Sequence, residues 1–395
     1  MRCPININKF IAFLLFLLFA SPNSTWALLY RLNTSLGSDI RWSDNIEGEE
    51  TGAKSDFYFT PSLYMELEGT SKESSLSTSG SFRGEVYTRH DELNDFSVPG
   101  LNSTYRTKIS ENLSVSLSAR FSYEPNSSGS SDSIIVIEGE GGIPVTTSIT
   151  GRTDTYSYGG NGNIDFKFTE RVYTSLEGSY STTQYTQDTG GLSDEKTYSG
   201  GVSLFRQMTQ KLTMGLSSSY SNTDFDSGTD TDVISGTASA DYAFTPTTSV
   251  SFSGGLSSTD TGNQSRNTDL IGSAGLRTSI SRTSIVVDLS RSVSGEGSSF
   301  GRTTQRDNGR VALVSPFLRR GRYSLVGSIS HNVSPDDEED NVVVSATLEA
   351  SYPVFKYVSI IFSARTSHQD ARGTLGDNVD INEVGIGFVA SHIFQ

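Results

Sequence analysis

Apolar residues recur at every second position along most of the chain. In "LSVSLSARFSY", Leu113, Val115, Leu117, Ala119, Phe121 and Tyr123 alternate with Ser114, Ser116, Ser118, Arg120 and Ser122. A period of two is that of a β-strand with one dry face and one wet face. The same pattern sets Leu32, Leu36, Ile40 and Trp42 on one face near the start. It sets Phe57, Phe59, Leu63, Met65 and Leu67 on the next segment, and it continues to Val384–Phe394. Each segment runs about 9–13 residues, enough for a tilted strand to cross a bilayer. The count is about 18, with the weakest alternation near 98–109 and 302–318, and an even number suits a single-chain outer-membrane barrel.

The connections between segments fall into two sets that alternate. The tight set includes Ser110-Glu111-Asn112, Thr169-Glu170-Arg171, Met208–Lys211, Thr245-Pro246-Thr247, Ser281-Arg282-Thr283, Arg319-Arg320-Gly321 and Phe355-Lys356-Tyr357. The longer set includes 43–55, 90–100, 125–152, 186–194, 225–232, 259–267, 294–305, 334–340 and 369–380, rich in Gly, Ser, Asn and acids. Short periplasmic turns and long extracellular loops distinguish outer-membrane barrels, whereas a sandwich has no reason to keep that asymmetry in phase. The expected fold is therefore all-β: a transmembrane antiparallel up-and-down β-barrel.

The wet parity carries charge on many strands. Arg31, Arg41, Arg83, Arg106, Lys108 and Arg120 share it with Glu66 and Glu85, and so do Tyr58, Tyr64 and Tyr87. A basic side chain facing lipid at mid-depth costs about 2–4 kcal/mol, so these residues are expected to line the interior. An interior this polar is expected to admit water. The inward bases are open to two readings, a stripe that guides anionic solute or sugar chains and ion pairs with Asp39, Glu66, Glu68 and Glu85 that stiffen the wall. The tyrosines are candidates for stacking on sugar rings or plain wall residues. Aromatics gather at both ends of the dry face. Trp42, Phe57, Tyr123, Tyr180, Tyr198 and Tyr220 mark the long-loop end, and Phe168, Phe244, Phe317, Tyr352 and Phe394 mark the other. Two such belts are expected where a barrel meets two membrane interfaces.

Residues 1–27 stand apart. Arg2 and Lys9 precede an apolar run, Phe10–Ala20, and Thr25-Trp26-Ala27 offers a cleavage site. This is the pattern of a secretory signal peptide, leaving 28–395 as one barrel domain. Cys3, the single cysteine, falls in the leader, so the exported part would hold no disulfide. The hydrophobic fraction of 34% is low for a packed globular core, but its ordered alternation and 10% aromatics argue against disorder. A net charge of −15 disfavours nucleic acid.

Catalytic and metal signatures are absent from the sequence. His90, His331, His368 and His392 occur outside any HExxH or CxxC company, and there is no GxSxG elbow or phosphate-binding GxxxxGK[ST]. No enzyme activity, cofactor or metal is expected. The acidic stretches 224–232 and 334–340 lack the spacing of a calcium loop and are expected to be solvated. The loop 125–152 holds Ile134–Ile137 in a polar setting. Two dispositions are open to it, folding inward to narrow the lumen or extending the wall as a hairpin.

Two stretches resemble known families. "VGIGFVASHIF" resembles the terminal signal that the barrel-assembly machinery reads, through Gly387, Phe388, Ala390 and Phe394, with Gln395 following the aromatic. Ser43-Asp44-Asn45-Ile46, Ser55-Asp56-Phe57, Pro61 and Leu63 resemble the outer-membrane barrel family associated with exopolysaccharide-biosynthesis and PEP-CTERM loci. That resemblance implies a role in polysaccharide export or surface assembly. The expected protein is thus a porin-like channel of the bacterial outer membrane for hydrophilic solute, among lipid and lipopolysaccharide. The alternative is a structural, receptor or docking barrel with a blocked lumen.

Overall fold

The computed structural model describes residues 29–46, 53–124, 154–185, 194–226, 230–261, 266–294, 304–318, 320–333, 340–371 and 378–394. The leader 1–27 and the loop 125–152 lie outside them. Eighteen strands follow one another. They are β1 (Leu29–Ser43), β2 (Asp56–Thr70), β3 (Ser74–Tyr87), β4 (Asp95–Ser110), β5 (Leu113–Glu124) and β6 (Thr155–Thr169). Next come β7 (Val172–Tyr185), β8 (Glu195–Gln207), β9 (Leu212–Phe225), β10 (Thr231–Thr245), β11 (Thr248–Asp260) and β12 (Asn267–Ile280). The last are β13 (Thr283–Ser294), β14 (Thr304–Phe317), β15 (Gly321–Val333), β16 (Asp340–Phe355), β17 (Val358–Ala371) and β18 (Val379–Phe394). Each pairs antiparallel with its neighbours in the chain, and β18 returns to pair with β1 from Phe394↔Leu32 to Glu383↔Ser43. The sheet is a closed up-and-down barrel, as the alternation predicted.

Five of the tight turns share a device. Ser71, Ser110, Thr169, Thr209 and Thr245 each accept, on the side-chain hydroxyl, the backbone N–H two residues on. Thr169 also takes Val172 N–H at 3.1 Å, and Thr209 takes Leu212 N–H at 3.0 Å. A hydroxyl that mimics a backbone acceptor closes a turn without Gly or Pro. That is why Ser71–Glu73, which has neither residue, is as tight as the rest and carries no glycine or proline signal in the sequence.

Outward side chains form an apolar surface. Leu36 and Leu216 are 64% exposed and Leu270 is 70% exposed. Water does not tolerate so continuous a belt, while hydrocarbon does. Aromatics bound it at both ends. Tyr123 stacks on Tyr156 at 4.7 Å between ring centres, and Tyr180 meets Tyr158 at 6.5 Å and Tyr198 at 5.0 Å. At the short-turn end Phe166 meets Phe168 at 4.9 Å, and Tyr242 meets Phe244 at 4.7 Å.

Three boundaries differ from the sequence reading. The connection expected over 90–100 is shorter, because β4 already begins at Asp95 behind a 3-10 turn at Asp91–Leu93. Pro99 argues against a strand there, but a register shift between Val98 and Leu101 absorbs it. Strand β17 runs on from Ala364 to Ala371, and β18 starts at Val379, ahead of Val384. In these extensions the outward residues are Thr366, His368, Asp370, Asp380 and Asn382. Apolar alternation ends there, but the backbone ladder does not.

Closure depends on backbone approach at Gly387. A Cβ there would sit 2.5 Å from Asp39 Cβ and 2.7 Å from the Ser38 carbonyl oxygen. Gly387→Val should therefore open the β1–β18 seam at a cost of roughly 1–3 kcal/mol. Refolding in detergent, without assembly machinery, should give much less of the compact, heat-modifiable gel band. Gly254→Ala, where no atom lies within 4 Å of the added Cβ, should refold like the parent. Equal yields of the two variants would contradict this account of the seam.

Candidate functional site

The inward faces of β1–β5 and β16–β18 form one continuous arc across the closing seam. Against it lies a cavity of about 1080 Å3. Alternation along β2 aims Tyr64, Glu66 and Glu68 into it, and β3 aims Arg83. Strands β1 and β5 add Arg41 and Arg120, β16 adds Glu349, β17 Arg365 and β18 Glu383. Guanidinium and carboxylate groups alternate around a space large enough for several waters or a sugar-sized solute.

Several of these charges are held by neighbours. Arg41 bonds Asp39 through Nε. Arg83 reaches Glu85 at 2.8 Å, and the Tyr87 hydroxyl donates to the same carboxylate at 2.9 Å. Tyr87 stacks on Tyr58 at 5.0 Å, and the Tyr58 hydroxyl donates to Glu383 Oε1 at 2.9 Å. Tyr58 is 3% exposed, so its ring is committed to the wall, whereas Tyr64 borders open space. Arg31 donates to Asn33 Oδ1 at 3.1 Å, and Asn33 passes an N–H on to Glu66 at 3.2 Å. Arg106 and Lys108 are exposed at the short-turn end of β4.

Of the residues expected to line the lumen, the structure brings Arg41, Tyr64, Glu66, Arg83 and Arg120 to one cavity. Tyr58, Tyr87 and Glu85 lie behind it in a network that supports Arg83 and Glu383. Arg31, Arg106 and Lys108 lie toward the short-turn mouth. Sequence reading missed Glu383, which falls in the polar start of β18 ahead of the apolar run. Its signal was parity, since it alternates with Val384 in step with Gly385 and Gly387. Glu349 and Arg365 have inward parity too, and only the closed register shows that they adjoin β1 and β2 through β18.

The arc across β8–β12 is chemically different. Hydroxyls pair across strands there, Thr197 with Thr223 at 3.1 Å, Ser217 with Thr237 at 3.0 Å, Ser219 with Ser235 at 2.7 Å and Ser253 with Ser273 at 2.8 Å. Inward Phe205 stacks on Tyr173 at 5.0 Å and covers Gly215, where a Cβ would lie 2.7 Å from its ring. The lumen also differs between its ends. Inward Asn332, 1% exposed, and Thr223, Thr231, Ser257 and Asn341 are buried near the long connections. Inward Arg106, Glu177, Asp241, Ser251 and Arg277 are exposed toward the short turns.

The stretch that resembled an export-linked family has a structural role. Asp44 accepts Asn382 N–H at 2.8 Å and Asn382 Nδ2–H at 2.7 Å, and Asn45 donates to the Asp380 carbonyl at 3.2 Å. Asp56 collects Phe57 N–H at 2.7 Å, Thr88 Oγ1–H at 2.5 Å, Arg89 N–H at 2.9 Å and a His90 ring nitrogen at 3.2 Å. Asp44 and Asn45 tie the first strand to the last, and Asp56 ties β2 to the β3–β4 connection.

A family model described as "Protein of unknown function, DUF481" matches residues 141–293. No curated protein matches the chain. Among solved structures, OccAB4 of Acinetobacter baumannii is 9% identical with a TM-score of 0.48, over 94% of this chain and 100% of that one. OpdO of Pseudomonas aeruginosa is 11% identical with a TM-score of 0.49, over 93% and 98%. A point mutant of the ferric enterobactin receptor PfeA of Pseudomonas aeruginosa is 8% identical with a TM-score of 0.45, over 91% and 80%. At such scores these likenesses carry no argument, and the architecture rests on this chain's own strand ladders.

Tyr58→Phe keeps the stack on Tyr87 and removes a donor from Glu383. The variant should lose about 1–2 kcal/mol, read as a lower urea midpoint of the refolded barrel. An unchanged midpoint would show that the hydroxyl contributes nothing to the wall.

Proposed function

We propose that this chain is a porin-like barrel of the bacterial outer membrane that offers a hydrophilic solute a polar path. The observation that carries this reading is the division of faces. Apolar side chains point out and polar ones point in around a closed ring, and the inner surface borders a space of about 1080 Å3 with balanced charge. A wall of alternating guanidinium and carboxylate groups suits a neutral, hydroxyl-rich or zwitterionic solute better than a simple anion. Tyr64, exposed beside Glu66, provides a ring face for a sugar. The link to exopolysaccharide is supported by the resemblance at 43–63. In this reading residues 1–27 direct export and are removed, the barrel-assembly machinery recognises Gly387, Phe388 and Phe394, and lipid and lipopolysaccharide surround the apolar belt.

One observation favours a second reading. The inward side chains near the long connections are buried, while those near the short turns are open. A barrel closed at its outer end would act as a receptor or docking body rather than a channel. Planar-bilayer recordings of the refolded protein separate the two. The channel reading predicts discrete conductance steps and a fall in cation preference, read as a shift in reversal potential, for Glu66→Gln/Glu68→Gln. Silence at every voltage would leave the closed barrel.

A further inference from the structure

The tight turns differ in charge around the ring. Of the five over β2–β11, three place an acid within three residues of a base, Lys72 with Glu73, Lys108 with Glu111 and Arg171 with Glu170. In the fourth, Lys211 donates to the Phe244 carbonyl at 3.3 Å, and the fifth, Thr245-Pro246-Thr247, is uncharged. The next three turns, over β12–β17, carry bases alone. Arg282, Arg320 and Lys356 stand in them, exposed. No Asp or Glu occurs in 276–286, 314–324 or 351–360. Among the described residues none of these three bases has an ion pair or a side-chain hydrogen bond, and Lys356 Nζ faces the Tyr357 ring at 4.8 Å. At the opposite end of the same strands the outward bases each meet an acid, Arg291 with Asp307, His331 with Asp340 and His368 with Asp380.

The same three turns expose large apolar side chains. Leu318 is 66% exposed and Phe355 is 71% exposed, and Ile280 leads into the turn that holds Arg282. Leu318 also has a φ of 45°, a conformation that a bulky side chain rarely takes. In water both the exposure and the backbone are unfavourable. At the boundary between headgroups and acyl chains the apolar side chain is solvated, while the base beside it stays wet. Successive turns lie two strand spacings apart, about 10 Å, so the bases form a row along the rim rather than a pocket. Above that row the outward faces are aliphatic and continuous, since Ile285 pairs with Leu313, Leu313 with Leu325 and Leu325 with Leu348.

We propose that the β12–β17 rim binds anionic phospholipid in the leaflet at the short turns. The phosphate sits on Arg282, Arg320 and Lys356, and the acyl chains lie on the Ile285–Leu313–Leu325–Leu348 row. Bases at a membrane surface attract anionic headgroups, and the β2–β11 turns, which mostly neutralise their own bases, lack that pull. An acidic soluble protein would satisfy the bases but has no counterpart for the aliphatic row above them. The proposal rests on the lipid-facing reading of the outer surface and is independent of whether the lumen conducts ions.

Spin-labelled lipids provide the test. The full barrel is refolded into phosphatidylcholine vesicles doped with spin-labelled phosphatidylglycerol or spin-labelled phosphatidylcholine, and the motionally restricted fraction is read by electron paramagnetic resonance. The parent should restrict phosphatidylglycerol about two-fold more than phosphatidylcholine, and strong salt should erase the difference. Arg282→Gln/Arg320→Gln/Lys356→Gln should lose the preference. Lys72→Gln/Arg171→Gln/Lys211→Gln, which removes the same charge elsewhere on the rim, should keep it, with heat-modifiable migration confirming both folds. If the first triple variant does not refold, its three single variants should each lower the preference. Equal restriction of the two lipids by the parent would overturn the proposal, as would a preference indifferent to salt or an equal loss in both triple variants. A barrel that restricts neither lipid would overturn the membrane reading with it, whereas planar-bilayer conductance of the same preparations reports on the channel reading separately.

Discussion

The backbone hydrogen bonds of this chain are shared out among eighteen strands in one closed ring. That sharing is the constraint on which the rest depends. Hydrocarbon offers no donor or acceptor, so a strand in lipid must be paired on both edges. Closure from β18 to β1 removes the last free edges. It requires Gly387 and the Asp44–Asn382 bonds where first and last strands meet. Once the ring is closed, the two-residue period decides every side chain's environment, and a slip of one residue would turn the Arg41–Glu383 wall toward lipid. That sharing lapses where the β2–β3 ladder skips Thr60 and Pro61 opposite Glu85 and Gly84, and where the β12–β13 ladder ends at Gly272↔Arg291.

The charged arc follows from closure as well. Glu349, Arg365 and Glu383 belong to the last strands and Arg41, Glu66 and Arg83 to the first, so no local stretch of sequence contains the cavity. The ring joins them through β18 and β1. Arg41 and Arg83 are tied to acids and Arg31 to an amide, and four arginines face four glutamates around the cavity, so the wall presents balanced charge rather than a bare basic stripe. The hydroxyl-paired arc over β8–β12 gives the lumen a second, uncharged side. In the proposed channel, binding and passage would therefore be decided by a solute's hydrogen-bonding groups more than by its net charge.

The architecture was legible because each outward position over the apolar belt must be apolar and each inward one need not be. Strand number, parity and the two aromatic rims all follow from that rule. Legibility failed where the rule lapses. Beyond the belt, at His368, Asp370, Asp380 and Asn382, outward residues are wetted and polar, so the sequence shows no alternation although the ladder continues. Glu383 was hidden for that reason. Pro99 concealed the start of β4, because a register shift can absorb a residue that regular pairing would exclude. The turn at 71–73 was hidden because a serine hydroxyl, rather than glycine or proline, closes it. The early end of the β12–β13 ladder at Gly272↔Arg291 left no mark in composition, since Leu270 and Val293 would have suited a continued ladder equally well.

A single parity separates lipid from water along each strand, and every other feature of the barrel follows from it. A nitroxide scan of residues 113–121 in β5 measures it directly, with oxygen and a water-soluble nickel chelate as competing relaxants. Labels at Leu113, Val115, Leu117 and Phe121 should favour oxygen, and those at Ser114, Ser116, Ser118 and Arg120 should favour the chelate, in strict alternation. Uniform accessibility along the strand, or apolar positions that favour the chelate, would contradict the barrel's orientation and the functional readings built on it.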